Sequence, residues 1–147
     1  MAYSDKLAAY KQTKIKTAGQ GQLIIMLYDG AVKNLDYALE LLRLNSGAQR
    51  DPGGIEKISK ALIKAQEIVT ELMVSLDFEK GGEIARNLFS LYTWFNKELL
   101  EANISRDDAR IAAVRKMIGD LRVTWVELIA KMGPDVKQSP AGISLAG

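Results

Sequence analysis

The sequence of 147 residues contains neither histidine nor cysteine. Those two absences remove much chemistry at once. Ser-His-Asp and Cys-His nucleophilic centres, the usual zinc sites and the Glu-x-x-His pairs of di-metal bundles all need one or the other. Carboxylates, lysine, arginine, serine, threonine and tyrosine remain. Among the carboxylates, Asp29 stands out because it follows the apolar run Leu23-Ile24-Ile25-Met26-Leu27-Tyr28. A catalytic acid there needs a partner that no neighbouring residue supplies. An acid at the solvent edge, or bonded to a neighbouring helix, is the simpler reading. No catalytic residue, metal ligand set or cofactor is assigned.

The chemistry that remains is that of binding. Several large apolar residues fall outside the stripes that a helical core would use: Met26, Leu41, Ile63, Val74, Phe89, Leu100, Val123 and Val126. A single exposed apolar residue is ordinary. As a set spread over four helices they predict apolar grooves, for which an amphipathic helix is the natural ligand. These eight are the candidate partner-binding residues.

Four helices must position them. Thr17-Ala18-Gly19-Gln20 has the form of a capping box with Thr17 as N-cap, and a first helix runs from there to about Leu44. Its core stripe is Ile24, Leu27, Ala31, Leu35, Ala38 and Leu42, at a period near 3.6 residues. The stretch Asn45 to Gly54 is polar and glycine-rich and reads as a plain connection. A second helix from about Ile55 to Leu76 carries Ile58, Leu62, Ala65, Val69, Leu72 and Leu76 inward. Gly81-Gly82 then provide a chain reversal, and a third helix from about Glu83 to Ala102 presents Ile84, Leu88, Leu91, Phe95 and Leu99. Ser105 with Asp108 signals another cap. The fourth helix, to about Met132, uses Val114, Ile118, Leu121, Trp125, Leu128 and Met132. Its other side, Ala112, Gly119, Val123, Val126 and Ala130, is smooth and flanked by Arg115 and Arg122.

The expected fold is therefore all-α, an antiparallel up-down four-helix bundle. Residues 1–20 form a short N-terminal helical arm, 21–132 the bundle and 133–147 a disordered tail. Leu7 and Tyr10 give the arm its apolar side, as a cap over a groove.

Composition is that of an ordinary soluble domain with enough apolar residues for a core. Hydrophobic residues make up 48% and charged residues 26%, and 20 Lys plus Arg against 18 Asp plus Glu leave a net charge of +2. That balance favours neither nucleic acid nor an anionic membrane as partner. The longest apolar run is far short of the roughly 20 residues of a membrane span, so no membrane insertion is expected. No signal peptide opens the chain, and the expected location is cytoplasmic.

Several segments carry a resemblance. Tyr10-Lys11-Gln12-Thr13, Thr17-Ala18, Gln22 to Ala31 with its Leu-Tyr-Asp-Gly-Ala run, Leu62 to Leu76, the block Gly81-Gly82-Glu83-Ile84-Ala85-Arg86-Asn87-Leu88, and Glu101-Ala102-Asn103 closely resemble the flagellar secretion chaperone family FliS. The resemblance covers roughly Tyr10 to Leu128. It departs at Gly19-Gln20, where the family often has Ser-Pro, and in the length of the loop from Asn45.

The resemblance implies a cytoplasmic, non-enzymatic chaperone. Its partner would be the C-terminal region of flagellin, disordered before assembly, held from premature polymerisation and delivered as a loaded complex to the export gate protein FlhA. It also implies an arm, here Leu7 and Tyr10, that covers part of the groove and bears on gate docking, and it gives Gly30 a structural role in close helix approach. Self-association of the free protein through its grooves, as a homodimer, is left open. Two other readings are a generic helical adaptor for another secretion component and a bundle enzyme of the chorismate-mutase kind. The enzyme reading needs inward arginines, whereas Arg115 and Arg122 lie off the core side.

Overall fold

The computed structural model describes residues 19–46 and 52–132. The arm with Leu7 and Tyr10, the Thr17 cap, the middle of the first loop and the tail 133–147 lie outside the described residues. Four helices follow one another: α1 (Gln20–Leu44), α2 (Pro52–Val74), α3 (Phe78–Ser105) and α4 (Asp108–Met132). Each packs antiparallel on its chain neighbour, and α4 closes the ring against α1. The fold is the expected all-α four-helix bundle.

The core follows the sequence periodicity on α1 and α2. Ile24, Leu27, Ala31, Leu35 and Ala38 are buried on α1, and Ile58, Leu62, Ala65, Val69 and Leu72 on α2, with Leu76 just beyond it. Leu42 is only half-buried, near the end of α1. Gly30 has the role expected of it: a Cβ there would stand 3.1 Å from Ile68 Cδ1, so glycine lets α1 and α2 approach closely. Across the bundle, the Tyr28 hydroxyl on α1 and the Tyr92 hydroxyl on α3 lie 2.5 Å apart, both fully buried.

The reversal between α2 and α3 differs from the sequence reading. It occurs at Ser75 to Asp77, ahead of the glycines. Asp77 is the N-cap of α3, its side chain accepting from the Lys80 N–H at 3.0 Å, and Glu79 follows in the first turn, where the helix dipole favours an acid. Gly82 then kinks the helix, with φ 52° and ψ −125°, a conformation that only glycine adopts without strain.

Ile84, in the first turn after the kink, is not core but exposed. Ala85, Tyr92, Phe95, Leu99 and Ala102 are buried instead, with Leu88 and Leu91 packed at their edge. The side chain of Met132, also expected inside, lies outside those described.

Two caps also shift. α1 begins at Gln20 after Gly19, without a side-chain cap. At the α3–α4 turn, Arg106 adopts the left-handed conformation and Asp107, not Ser105, caps α4 by accepting from the N–H groups of Ala109 and Arg110. The Ser105 hydroxyl instead donates back to the Glu101 carbonyl.

Candidate partner-binding surface

The surface is built on two seams of unlike character. Along α2 and α3, Ser59 Oγ donates to Asn103 Oδ1 at 3.0 Å and Gln66 Nε2 to the Asn96 carbonyl at 3.2 Å. Asn96 Nδ2 donates to Thr70 Oγ1 at 3.1 Å. These bonds fix an antiparallel register that sets Ile63 level with Leu100 and Val74 level with Phe89. The four are 46%, 51%, 74% and 42% exposed. Thus two apolar pairs straddle the α2–α3 groove, about 16 Å apart at 1.5 Å per residue. Phe78 extends the lower pair, stacking edge-on against Phe89 with centroids 5.8 Å apart.

Along α1 and α4 the seam is clipped by charge. Arg115 binds Asp36 through two hydrogen bonds, of 2.8 and 3.3 Å, and Arg122 pairs with Asp29 two turns away. Asp29 is therefore the helix-bridging residue that the sequence suggested. The Asp36 carboxylate, above all by its hydrogen bond, raises the Arg115 pKa further. Val123 and Val126 stand exposed on α4 beside these pairs, with Ala112 and Ala130 also exposed on that helix.

The remaining candidates are less open. Met26 is half-buried, and Leu41 is half-buried and packed against the core. Six of the eight candidates thus reach solvent well, and four of them share one groove. Phase arguments missed Phe78 and Ile84, both exposed near the α2–α3 turn. Asp77 followed by Glu79 was the signal that places Phe78 in the first turn of α3.

Beneath this surface lies a polar contact that periodicity did not show. Burial pushes the Tyr28 hydroxyl pKa well up, helped by Tyr92, while a hydrogen bond with Trp125 acts the other way. Burial also pushes Tyr92 up to about 12, against the lowering effect of its bond to Tyr28.

Two modest cavities are lined by described residues. A cavity of about 270 Å³ touches Leu42, Ile55, Ile58 and Arg106, and one of about 210 Å³ touches Leu91, Met117 and Leu121. Both fall below the roughly 300 Å³ at which ligand pockets usually begin. Among the described residues no group of three or more Asp or Glu is placed to hold a metal, and no helix is long and apolar enough to cross a membrane.

Fold and surface together are those of a helical bundle with apolar side chains displayed beside its helix seams. The comparisons with known proteins agree. The family model described as flagellar protein FliS matches residues 3–132. The chain is 34% identical over 130 residues to the flagellar secretion chaperone FliS of Salmonella typhimurium, covering 85% of this chain and 90% of that one. It is 30% identical over 129 residues to the Bacillus subtilis protein of the same name, covering 88% and 90%. The Escherichia coli protein of that name is also 30% identical over 129 residues, with 88% of each covered. The chain belongs to the FliS family of flagellar secretion chaperones, which are not enzymes.

Proposed function

We propose that this chaperone binds the C-terminal segment of flagellin along its exposed apolar grooves, in the cytoplasm, and so keeps flagellin from polymerising before export. The observation that carries the reading is the α2–α3 groove, where Ile63 with Leu100 and Val74 with Phe89 present two level apolar pairs to solvent. Such an arrangement fits an amphipathic segment that folds as it docks. Met26, Leu41, Val123 and Val126 extend the same contact around the bundle. A disordered segment gains a large apolar contact but loses conformational freedom, which leaves the complex releasable. Release would follow delivery to the export gate protein FlhA, with Leu7 and Tyr10 of the arm taking part.

The test is a calorimetric titration with a peptide covering the C-terminal part of the same organism's flagellin. One-to-one binding with a large negative heat-capacity change is expected. Absence of binding to a demonstrably folded bundle would overturn the reading.

A further inference from the structure

Two close approaches, well apart along the seam, fix the register of α1 against α2. A Cβ at Gly30 would stand 3.1 Å from Ile68 Cδ1, and a Cβ at Gly54 3.1 Å from the Asn45 side chain. Counted from either, Tyr37 is level with Ala61 or Leu62, and Leu41 with Lys57 or Ile58.

Helical spacing then sets two rails beside this seam. Tyr37, Leu41 and Leu44 follow Gly30 at intervals of seven, four and three residues, on the stripe that meets α2. Lys57 and Lys64 precede Ile68 by eleven and four residues, on the stripe that meets α1, and Lys60 stands at their outer edge. Tyr37 is 50% and Leu44 61% exposed, Leu41 is half-buried between them, and the three lysines are exposed. Tyr37 to Leu44 and Lys57 to Lys64 each cover about 10 Å at 1.5 Å per residue.

The charge of the basic rail is largely unanswered. Lys60 pairs only with Glu56, and both side chains are well exposed. Lys57 and Lys64 enter no ion pair among the described residues. By contrast, Arg43, Arg110, Arg115, Lys116 and Arg122 each hold a carboxylate. The next acids along α2, Glu67 and Glu71, begin one turn beyond Lys64, so the basic stretch is confined to the half of the seam nearest the first loop.

We propose that this face of α1 and α2 docks an acidic amphipathic helix of a second protein, its apolar stripe on Tyr37, Leu41 and Leu44 and its carboxylates on Lys57, Lys60 and Lys64. An amphipathic helix presents an apolar stripe with a charged edge running parallel to it, as the two rails require. A nucleic acid would answer the lysines but leave the apolar rail uncovered. The surface goes beyond the flagellin reading and does not rest on it. The α2–α3 groove opens on the other side of α2, and only Leu41 is shared with the residues given to flagellin above.

The probe is a fluorescent synthetic peptide of about 18 residues, long enough to hold a helix, with leucine at i, i+4, i+7 and i+11 and glutamate along one edge of that stripe. A second peptide carries lysine in place of each glutamate. Both are titrated by fluorescence anisotropy into the full-length protein and into a variant combining Lys57→Glu with Lys64→Glu, whose melting is recorded alongside. The wild type should bind the acidic peptide about tenfold more tightly than the basic one, and the variant should invert that order. Tyr37→Ala should weaken binding of the acidic peptide by about threefold or more, and rising salt should weaken it further. If the charge-reversed variant does not fold, Lys57→Gln with Lys64→Gln replaces it, and the preference for the acidic peptide should vanish.

Equal affinity of the wild type for the two peptides would overturn the proposal. So would binding that survives the lysine changes but is abolished by Ile63→Glu with Leu100→Glu, since the peptide would then lie in the α2–α3 groove. Displacement by a single-stranded oligonucleotide, together with no effect of Tyr37→Ala, would show that the lysines read charge alone and would overturn it as well.

Discussion

The α2–α3 and α1–α4 seams use the same bundle geometry for opposite ends. At α1–α4, paired charges cross between the helices, Asp36 to Arg115 and Asp29 to Arg122, and the protein satisfies its own polar groups. At α2–α3 the crossing bonds are neutral. The flanks there are apolar and open. A seam that completes itself has less to offer a partner. A seam that leaves apolar area uncovered is the less comfortable surface when free and the better one for docking. The comparison teaches that exposure alone does not rank the candidates: Val123 is as exposed as Leu100, yet only Leu100 faces a level apolar residue across a groove.

The sharpest way to break that comparison is to charge the groove. Ile63→Glu combined with Leu100→Glu should raise the Kd for the flagellin peptide about 100-fold, each lost anchor being equivalent to about 1.4 kcal/mol or more. The melting temperature should stay near that of the wild type, because both side chains are exposed. A double variant that fails to fold would show these positions to be core. One that folds and binds normally would remove the groove from the interface.

The two seams are tied through the interior by Tyr28 and Tyr92, and this tie has a pH signature. Both hydroxyls keep their protons to higher pH in the fold than in the unfolded chain, Tyr92 up to about 12. Between the unfolded and folded pKa values the folded state therefore holds more protons than the unfolded one. Stability is full below about pH 10 and falls as pH rises towards 12, by about 1.4 kcal/mol per unit for each tyrosine. Urea unfolding across pH 9 to 12 should trace that loss. Tyr92→Phe should flatten the curve and cost about 1–3 kcal/mol at neutral pH, the penalty for a buried hydroxyl left short of a partner. An unchanged slope would mean that other groups govern alkaline unfolding.

What could be read from the sequence follows the same division. The cores of α1 and α2 were legible because an unbroken helix keeps its phase: Ile24 to Ala38 and Ile58 to Leu72 are buried where a period of 3.6 puts them. The core of α3 was not fully legible. Ile84 is in phase with Phe95 on the unbroken helix that follows Gly82, yet it stands in the first turn after the kink, where it is exposed while Ala85 is buried. Gly81-Gly82 looked like the stronger turn signal, but a cap with its own hydrogen bond at Asp77 decided where the helix began. The candidate surface was half legible. Off-stripe position found Ile63, Val74, Phe89 and Leu100, but which of them face one another depends on the register between α2 and α3. That register is set by Gln66 and Asn96, polar residues that periodicity ignores. Tyr28 and Tyr92 were hidden for the same reason, since a hydroxyl pair in a core leaves no mark on an apolar pattern.

Val123→Glu tests the other seam. Val123 stands on the α4 face beside the ion pairs and, among the described residues, has no exposed apolar residue level with it of the kind Ile63 has. The substitution should leave the fold intact and weaken peptide binding by about tenfold or less, one peripheral contact being worth about 1.4 kcal/mol at most. A loss equal to that of the Ile63 and Leu100 double variant would make the two seams equal partners in binding, and the ranking drawn here would be wrong.

The smallest effects belong to the charges that close α1 on α4. The side chains of Asp36 and Asp29 are 51% exposed, and those of Arg115 and Arg122 39%, so water and salt screen both pairs. Arg115→Gln and Arg122→Gln should each cost only about 0.2–1 kcal/mol in urea unfolding, with the cost shrinking as salt rises. Neither should weaken flagellin binding at moderate salt if this seam serves mainly the fold. The informative outcome is a variant that melts normally yet binds the peptide more tightly. In that case the ion pairs would be holding shut a groove that α1 and α4 can open, and the difference between the seams would be one of occupancy rather than kind.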